Sequence, residues 1–199
     1  MLSEIFKLFW KTVERKDERR INSQTPPTEI EQFCEIQYID DGLWQHRLDV
    51  YSKSGKLSHR PVIIDIHGGG WMYGTKEINK NYCLVLAQND YVVVNINYRL
   101  APDFSVADQL RDCFFAFKWV STNIEKYGGD LNNVFVTGDS AGGFLASCAA
   151  LLYSSEKRRR IFGVTESGLE FRACGLTSPV CFMNTHTFQD VYYSRVKGK

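Results

Sequence analysis

Apolar residues recur at two distinct spacings along the chain. Leu2, Phe6, Phe9 and Val13 follow a helical period, with Ile5 and Leu8 beside them and charges opposite, so residues 2 to about 19 are predicted to form an amphipathic helix. A helix of this kind needs a surface to cover, and packing on the domain is the reading preferred over a membrane surface, because Glu, Asp, Lys and Arg are mixed along it. Asn22 to Glu29, with Pro26 and Pro27, reads as a linker. Cys34 to Ile39 and Arg47 to Tyr51 alternate as an antiparallel pair would, across a turn at Asp41-Gly42. Val62 to Ile66 and Tyr91 to Ile96 are short apolar runs suited to buried strands. Helical spacing returns over Lys76 to Gln88, Val106 to Asn123 and Gly143 to Tyr153, and further strands are predicted at Val134 to Thr137 and Phe171 to Thr177. Glu156 to Arg160 reads as a solvated charged loop at a helix end. Two strands followed by alternating strand and helix predict an α/β fold, a mostly parallel sheet covered on both faces.

Two glycine-rich turns add candidate chemistry. Gly138 and Gly142 flank Ser140 at i−2 and i+2, where a tight strand-to-helix turn excludes Cβ atoms. Such a turn would present the serine hydroxyl as a nucleophile and set the Ala141 amide at a helix N-terminus, where partial positive charge stabilises an oxyanion. Taken alone, the pattern is equally a glycine turn whose serine caps a helix. His67-Gly-Gly-Gly-Trp71 follows the predicted strand Val62 to Ile66. Three consecutive glycines there either form a flexible loop or turn backbone N–H groups toward an anion. Both turns begin at the C-terminal end of a predicted strand, where ligand sites of open α/β sheets gather.

Composition narrows the function. The 199 residues are 44% hydrophobic and 24% charged, the balance of a globular protein, and a net charge of +1 gives no reason to expect nucleic acid. No apolar run has the length of a membrane span. Glu4 and Lys7 interrupt the apolar N-terminus and no small-residue cleavage site follows, which predicts a cytoplasmic protein. Cys34, Cys83, Cys113, Cys148, Cys174 and Cys181 contain no Cys-x-x-Cys pair and no histidine at metal spacing, so they read as buried reduced thiols. No metal or organic cofactor is implied.

His67-Gly-Gly-Gly-Trp71, Tyr98-Arg-Leu-Ala-Pro102, Gly129-Asp130 and Gly138-Asp-Ser-Ala-Gly-Gly143 together resemble the hormone-sensitive-lipase-like carboxylesterases of the α/β-hydrolase superfamily, in register from about Gln37 to Val180. The resemblance implies a nucleophile at Ser140 and an oxyanion hole from the N–H groups of Gly69, Gly70 and Ala141, with His67 and Gly68 supporting the loop. It implies a small-molecule ester as substrate and names no oligomeric state. His67 is not the base, because the family order places the acid and the histidine after the serine. Asp139 and Asp112 are given structural roles. His186 and Asp190 form the downstream pair, but they follow the last strand directly, where the family places cap helices. The expectation is therefore an α/β-hydrolase domain over residues 31–199 with its C-terminal strands absent, preceded by a helix and linker over 1–30 that form a possible part of a cap. Two other readings compete: a small-ligand-binding protein on the same fold, as in the plant gibberellin receptors, and an inactive truncated fragment.

Overall fold

The computed structural model describes residues 2–55 and 59–181, residues 2–7 as backbone only. Six strands, β1 (Ile30–Gln37), β2 (Arg47–Lys53), β3 (Arg60–Ile66), β4 (Val92–Ile96), β5 (Gly129–Asp139) and β6 (Phe171–Thr177), form one sheet in the order β1-β2-β4-β3-β5-β6. β2 runs antiparallel to both of its neighbours, β1 and β4, while β4, β3, β5 and β6 are mutually parallel. Five α-helices accompany them: α1 (Leu2–Asn22), α2 (Lys80–Gln88), α3 (Val106–Asn123), α4 (Ser140–Leu152) and α5 (Glu156–Phe162).

Alternation along the strands sorts the core into two layers. Val92, Val94, Ile64, Ile66 and Val136 point to the face covered by α3 and α4, through Leu110, Phe114, Phe117, Leu145 and Ala149. Val93 and Tyr51 point to the other face and meet Cys83, Leu84 and Ala87 of α2. Burial on both faces is what makes β4 read as an apolar run broken only by Asn95.

Several boundaries move, each for a physical reason. The region predicted as one helix from Lys76 begins with a 3-10 turn, Lys76–Asn79, because the Thr75 hydroxyl accepts from Glu77 N–H and the turn is hooked onto β4: Lys76 N–H donates to Asn97 Oδ1 (2.7 Å) and Asn95 Nδ2 to Lys76 O (2.7 Å). β5 starts at Gly129, five residues early, since Gly129 and Asp130 pair with Arg60 and Pro61 before a bulge. The charged run expected as a loop is helix α5. Ser155 caps its first turn, Gly163 ends it at φ 62°, and Arg159 is buried with its guanidinium on the Leu152 and Tyr153 carbonyls.

Helix α1 does pack on the domain, through a stripe that keeps Val13 of the predicted one and leaves Phe9 outside. Phe9 is exposed, and the inward residues are Trp10, Val13, Asp17 and Ile21. Trp10 stacks on Tyr73 at 5.2 Å, Tyr73 donates its hydroxyl proton to Asp17 Oδ2 (3.2 Å), and Arg20 donates to Ile78 O (3.1 Å). All six cysteines are free thiols. The expectation that all are buried holds for Cys83 and Cys113 but fails for Cys34, which lies on an edge strand with one face in solvent, and for Cys181 beyond β6. No helix among the described residues is long and apolar enough to cross a membrane.

Candidate active site

The C-terminal ends of β3 and β5 lie side by side, with Ile66 paired to Gly138. Ser140 follows β5 directly and opens α4, with φ at 49°, a left-handed value that costs a non-glycine residue roughly 1–3 kcal/mol. The surrounding glycines show what holds it there. A Cβ on Gly142 would stand 1.9 Å from Ile66 O, and one on Gly138 would stand 2.5 Å from the Gly142 carbonyl carbon. Backbone thus meets backbone across the turn, and only glycine allows that approach. Ser140 is half-buried and Ala141 buried, so the serine stands at the rim with the first amides of α4 behind it. Val180 N–H donates to Ser140 O (3.2 Å), which draws the segment after β6 over the elbow.

The second glycine turn folds against the first. Gly69 has φ 116° and a Cβ there would stand 2.0 Å from Tyr73 O, while Gly70 has φ 57°. Side chains supply the rest of the order. Gly68 N–H donates to Asp139 Oδ1 (2.9 Å), across 71 residues of sequence. Asn79 Nδ2 donates to the same oxygen (2.9 Å) and to Asp65 Oδ2 (2.9 Å). Asp65 is fully buried, and that burial, with the Asp139 carboxylate beside it, pushes its carboxyl up to about 7. His67 is buried too. It stacks on Tyr98 at 4.3 Å, accepts the Tyr98 hydroxyl proton at its own carbonyl (2.7 Å), and places Nδ1 2.7 Å from Gly68 O. Burial lowers its ring to about 4, so the imidazole is neutral at ordinary pH, and an Nδ1–H donated to Gly68 O fits that state.

Further clamps reach the same loops from α3. Arg99 grips Asp112 through Nε (2.9 Å) and Nη2 (2.6 Å), while Gln109 Nε2 and Ala101 N–H both donate to Trp71 O (2.9 and 2.8 Å). His46 lies between Asp41 Oδ2 (2.6 Å) and Asp112 Oδ1 (3.2 Å). Its burial opposes the imidazolium, but the two carboxylates outweigh that and raise its pKa. Asp112 is thus engaged by Arg99 and His46.

The structure thus brings His67, Gly68, Gly69, Gly70, Ser140 and Ala141 to adjoining strand ends. His186 and Asp190 lie outside the described residues. Asp65 and Asn79 escaped the sequence reading, although a carboxylate inside the apolar run Val62 to Ile66 was a signal for the first. Among the described residues no cluster of His, Cys, Asp or Glu is placed to hold a metal ion. An open cleft of about 690 Å³ adjoins the second turn, walled by Trp10, Trp44, Met72, Tyr73, Leu100 and Phe104; Ser140 is not in its lining.

Comparison with known proteins agrees with this geometry. Residues 48–174, from β2 into β6, match the BD-FAE family model. The chain is 38% identical over 98 residues to versiconal hemiacetal acetate esterase of Dothistroma septosporum, covering 49% of this chain and 30% of that protein. It is 34% identical over 107 residues to the isoprenylcysteine alpha-carbonyl methylesterase ICME of Arabidopsis thaliana, covering 54% and 25%. The crystal structure of esterase B from Lactobacillus rhamnosis superposes with a TM-score of 0.90 at 32% identity, over 98% of this chain and 63% of that one. The chain therefore spans a quarter to a third of these curated relatives and under two thirds of that solved structure. With most of its length matched, and with the sheet order and both glycine turns in place, the chain belongs to the BD-FAE family of α/β-hydrolases.

Proposed function

We propose that the chain carries the nucleophile and oxyanion hole of a serine carboxylesterase acting on small esters. Ser140 Oγ attacks the ester carbonyl, its proton passes to a general base, and the alcohol leaves to give an acyl-enzyme that water then hydrolyses. The N–H groups of Gly69, Gly70 and Ala141 receive the charge on the tetrahedral oxygen, where one such donor is typically worth ~2.7–4 kcal/mol. His67 and Gly68 support that loop. His67 does not serve as the base, since its Nδ1 sits on Gly68 O and its ring lies against Tyr98. None of the described residues is assigned that role. The observation that carries the reading is the left-handed Ser140 at the head of α4, locked between glycines and beside a second glycine turn at the next strand end.

Esters with apolar groups suit the aromatic cleft beside Met72 and Tyr73, and α1 would act as one wall of a cap over residues 31–199. Six free thiols accord with a cytoplasmic setting. The test is covalent. Esterase B of Lactobacillus rhamnosis has been solved inhibited by a tributyrin phosphonate, and the same class of reagent should label this chain once, at Ser140, by mass spectrometry. Ser140→Ala should abolish both the label and any hydrolysis of p-nitrophenyl butyrate. A chain that binds esters reversibly but takes no label would be a ligand-binding protein instead.

A further inference from the structure

Asn79 occupies the N-cap of α2, where an asparagine side chain ordinarily accepts from the first-turn amides, yet it makes no capping bond. Its amide is turned the other way. Nδ2 carries two hydrogens, and the structure shows two carboxyl oxygens at 2.9 Å, Asp65 Oδ2 and Asp139 Oδ1. A hydroxyl has only one hydrogen to offer and a carboxylate none, so the pair of contacts selects an amide. Asp139 Oδ1 also takes the Gly68 N–H at 2.9 Å, and a Cβ on Gly68 would stand 2.3 Å from Asp139 Oδ2.

The platform under Asn79 is tied to the sheet by hydrogen bonds. The 3-10 turn that ends in Asn79 is held at Lys76 by Asn95 and Asn97 on or just after β4, and by the Thr75 cap. Asp65 stands on β3 and Asp139 ends β5. One side-chain amide, carried on a turn tied to β4, therefore joins β3 to β5 at the point where the first glycine of the His67–Gly70 turn is anchored.

We propose that Asn79 is a positioning residue for ester hydrolysis: by tying Asp139 to Asp65 it fixes the carboxylate that holds Gly68, and so sets the loop that presents Gly69 and Gly70. The inference rests on the esterase reading above. Asn79 touches no reacting atom; it acts through Asp139.

The test uses the full chain with Asn79→Ala, Asp139→Ala and the double variant. Two quantities are read: kcat and KM on p-nitrophenyl butyrate, and the hydrogen-exchange rate of the Gly68 amide by NMR. Asn79→Ala should lower kcat by about tenfold, less than the loss of a direct oxyanion donor, with KM nearly unchanged, because an oxyanion contact matters most in the transition state. Gly68 should exchange at least about tenfold faster. In the Asp139→Ala background the same substitution should add nothing. Unchanged Gly68 exchange, or a kcat loss that is as large without Asp139, would overturn the proposal. If the unaltered chain turns over no ester, the esterase reading fails, and Gly68 exchange alone still decides whether the clamp exists. Should Asn79→Ala not fold, Asn79→Ser keeps a favourable N-cap residue and carries the same comparison.

Discussion

The two glycine turns at the strand ends share a close backbone approach but differ in how much side chains add to it. The turn around Ser140 is locked chiefly by backbone contact: Gly142 lies against Ile66 O and Gly138 against Gly142. The His67–Gly70 turn has one such approach, Gly69 against Tyr73 O, and is further shaped by side chains from elsewhere, Asp139 on Gly68, Asn79 on Asp139 and Tyr98 on His67. Steric locking is all or none, since a Cβ either fits or does not. Polar locking is graded, because each hydrogen bond contributes about a kcal/mol and can be removed singly.

The largest effect should come from breaking the steric lock. Gly142→Ala drives a Cβ into backbone oxygen and is expected to cost more than about 4 kcal/mol, enough to prevent stable folding; a cooperative urea transition at unaltered midpoint would contradict the steric account.

The polar lock should instead show itself through pH. Folded His67 stays neutral down to about 4, whereas an unfolded histidine takes its proton near 6.5, so the unfolded chain binds more protons in that window and stability falls on acidification from about 6.5 to about 4. Relative to His67→Gln, the unaltered chain should lose ~3 kcal/mol across that range in urea titrations. Asp65 works with the opposite sign. Its folded carboxyl keeps a proton up to about 7 and an unfolded one releases it near 3.9, so its contribution declines as pH rises toward 7 and partly masks His67 in the unaltered chain. The His67→Gln reference separates the two.

Asp139→Ala should come next, at ~1–3 kcal/mol in thermal or urea unfolding, because it strands the buried Gly68 N–H without its acceptor. Smallest of all is Gly42→Ala. Gly42 has φ 77° with open space where its Cβ would go, so only backbone strain of about 1 kcal/mol is expected. A loss as large as that of Gly142→Ala would show that conformation rather than contact governs these glycines.

This contrast also explains what could be read in advance. The Ser140 turn is local, and its i±2 glycines announce it. The strands and helices with one buried face announce themselves by period. Asn79 and Asp139 are 60 residues apart and Gly68 and Asp139 are 71, so their convergence follows only from β3 and β5 lying side by side. His46 is of the same kind, bracketed by Asp41 and Asp112 from opposite directions in the chain. Helix α5 reads as a loop by its five consecutive charges, although its stops are present in Ser155 and Gly163. On α1, hydrophobicity favours a stripe through Phe9, while Tyr73 turns the packed side toward Trp10 and Asp17 by offering the one a ring and the other a hydroxyl.

Gly68 and Asp139 also constrain the order in which such a chain can change over generations. While aspartate stands at 139, a side chain at 68 would collide with it at 2.3 Å, and while the Gly68 amide is buried, position 139 must supply an acceptor. Neither position can drift first without loss, so the two should be inherited as a pair, with Asn79 free to vary only among residues that can still serve both carboxyl groups.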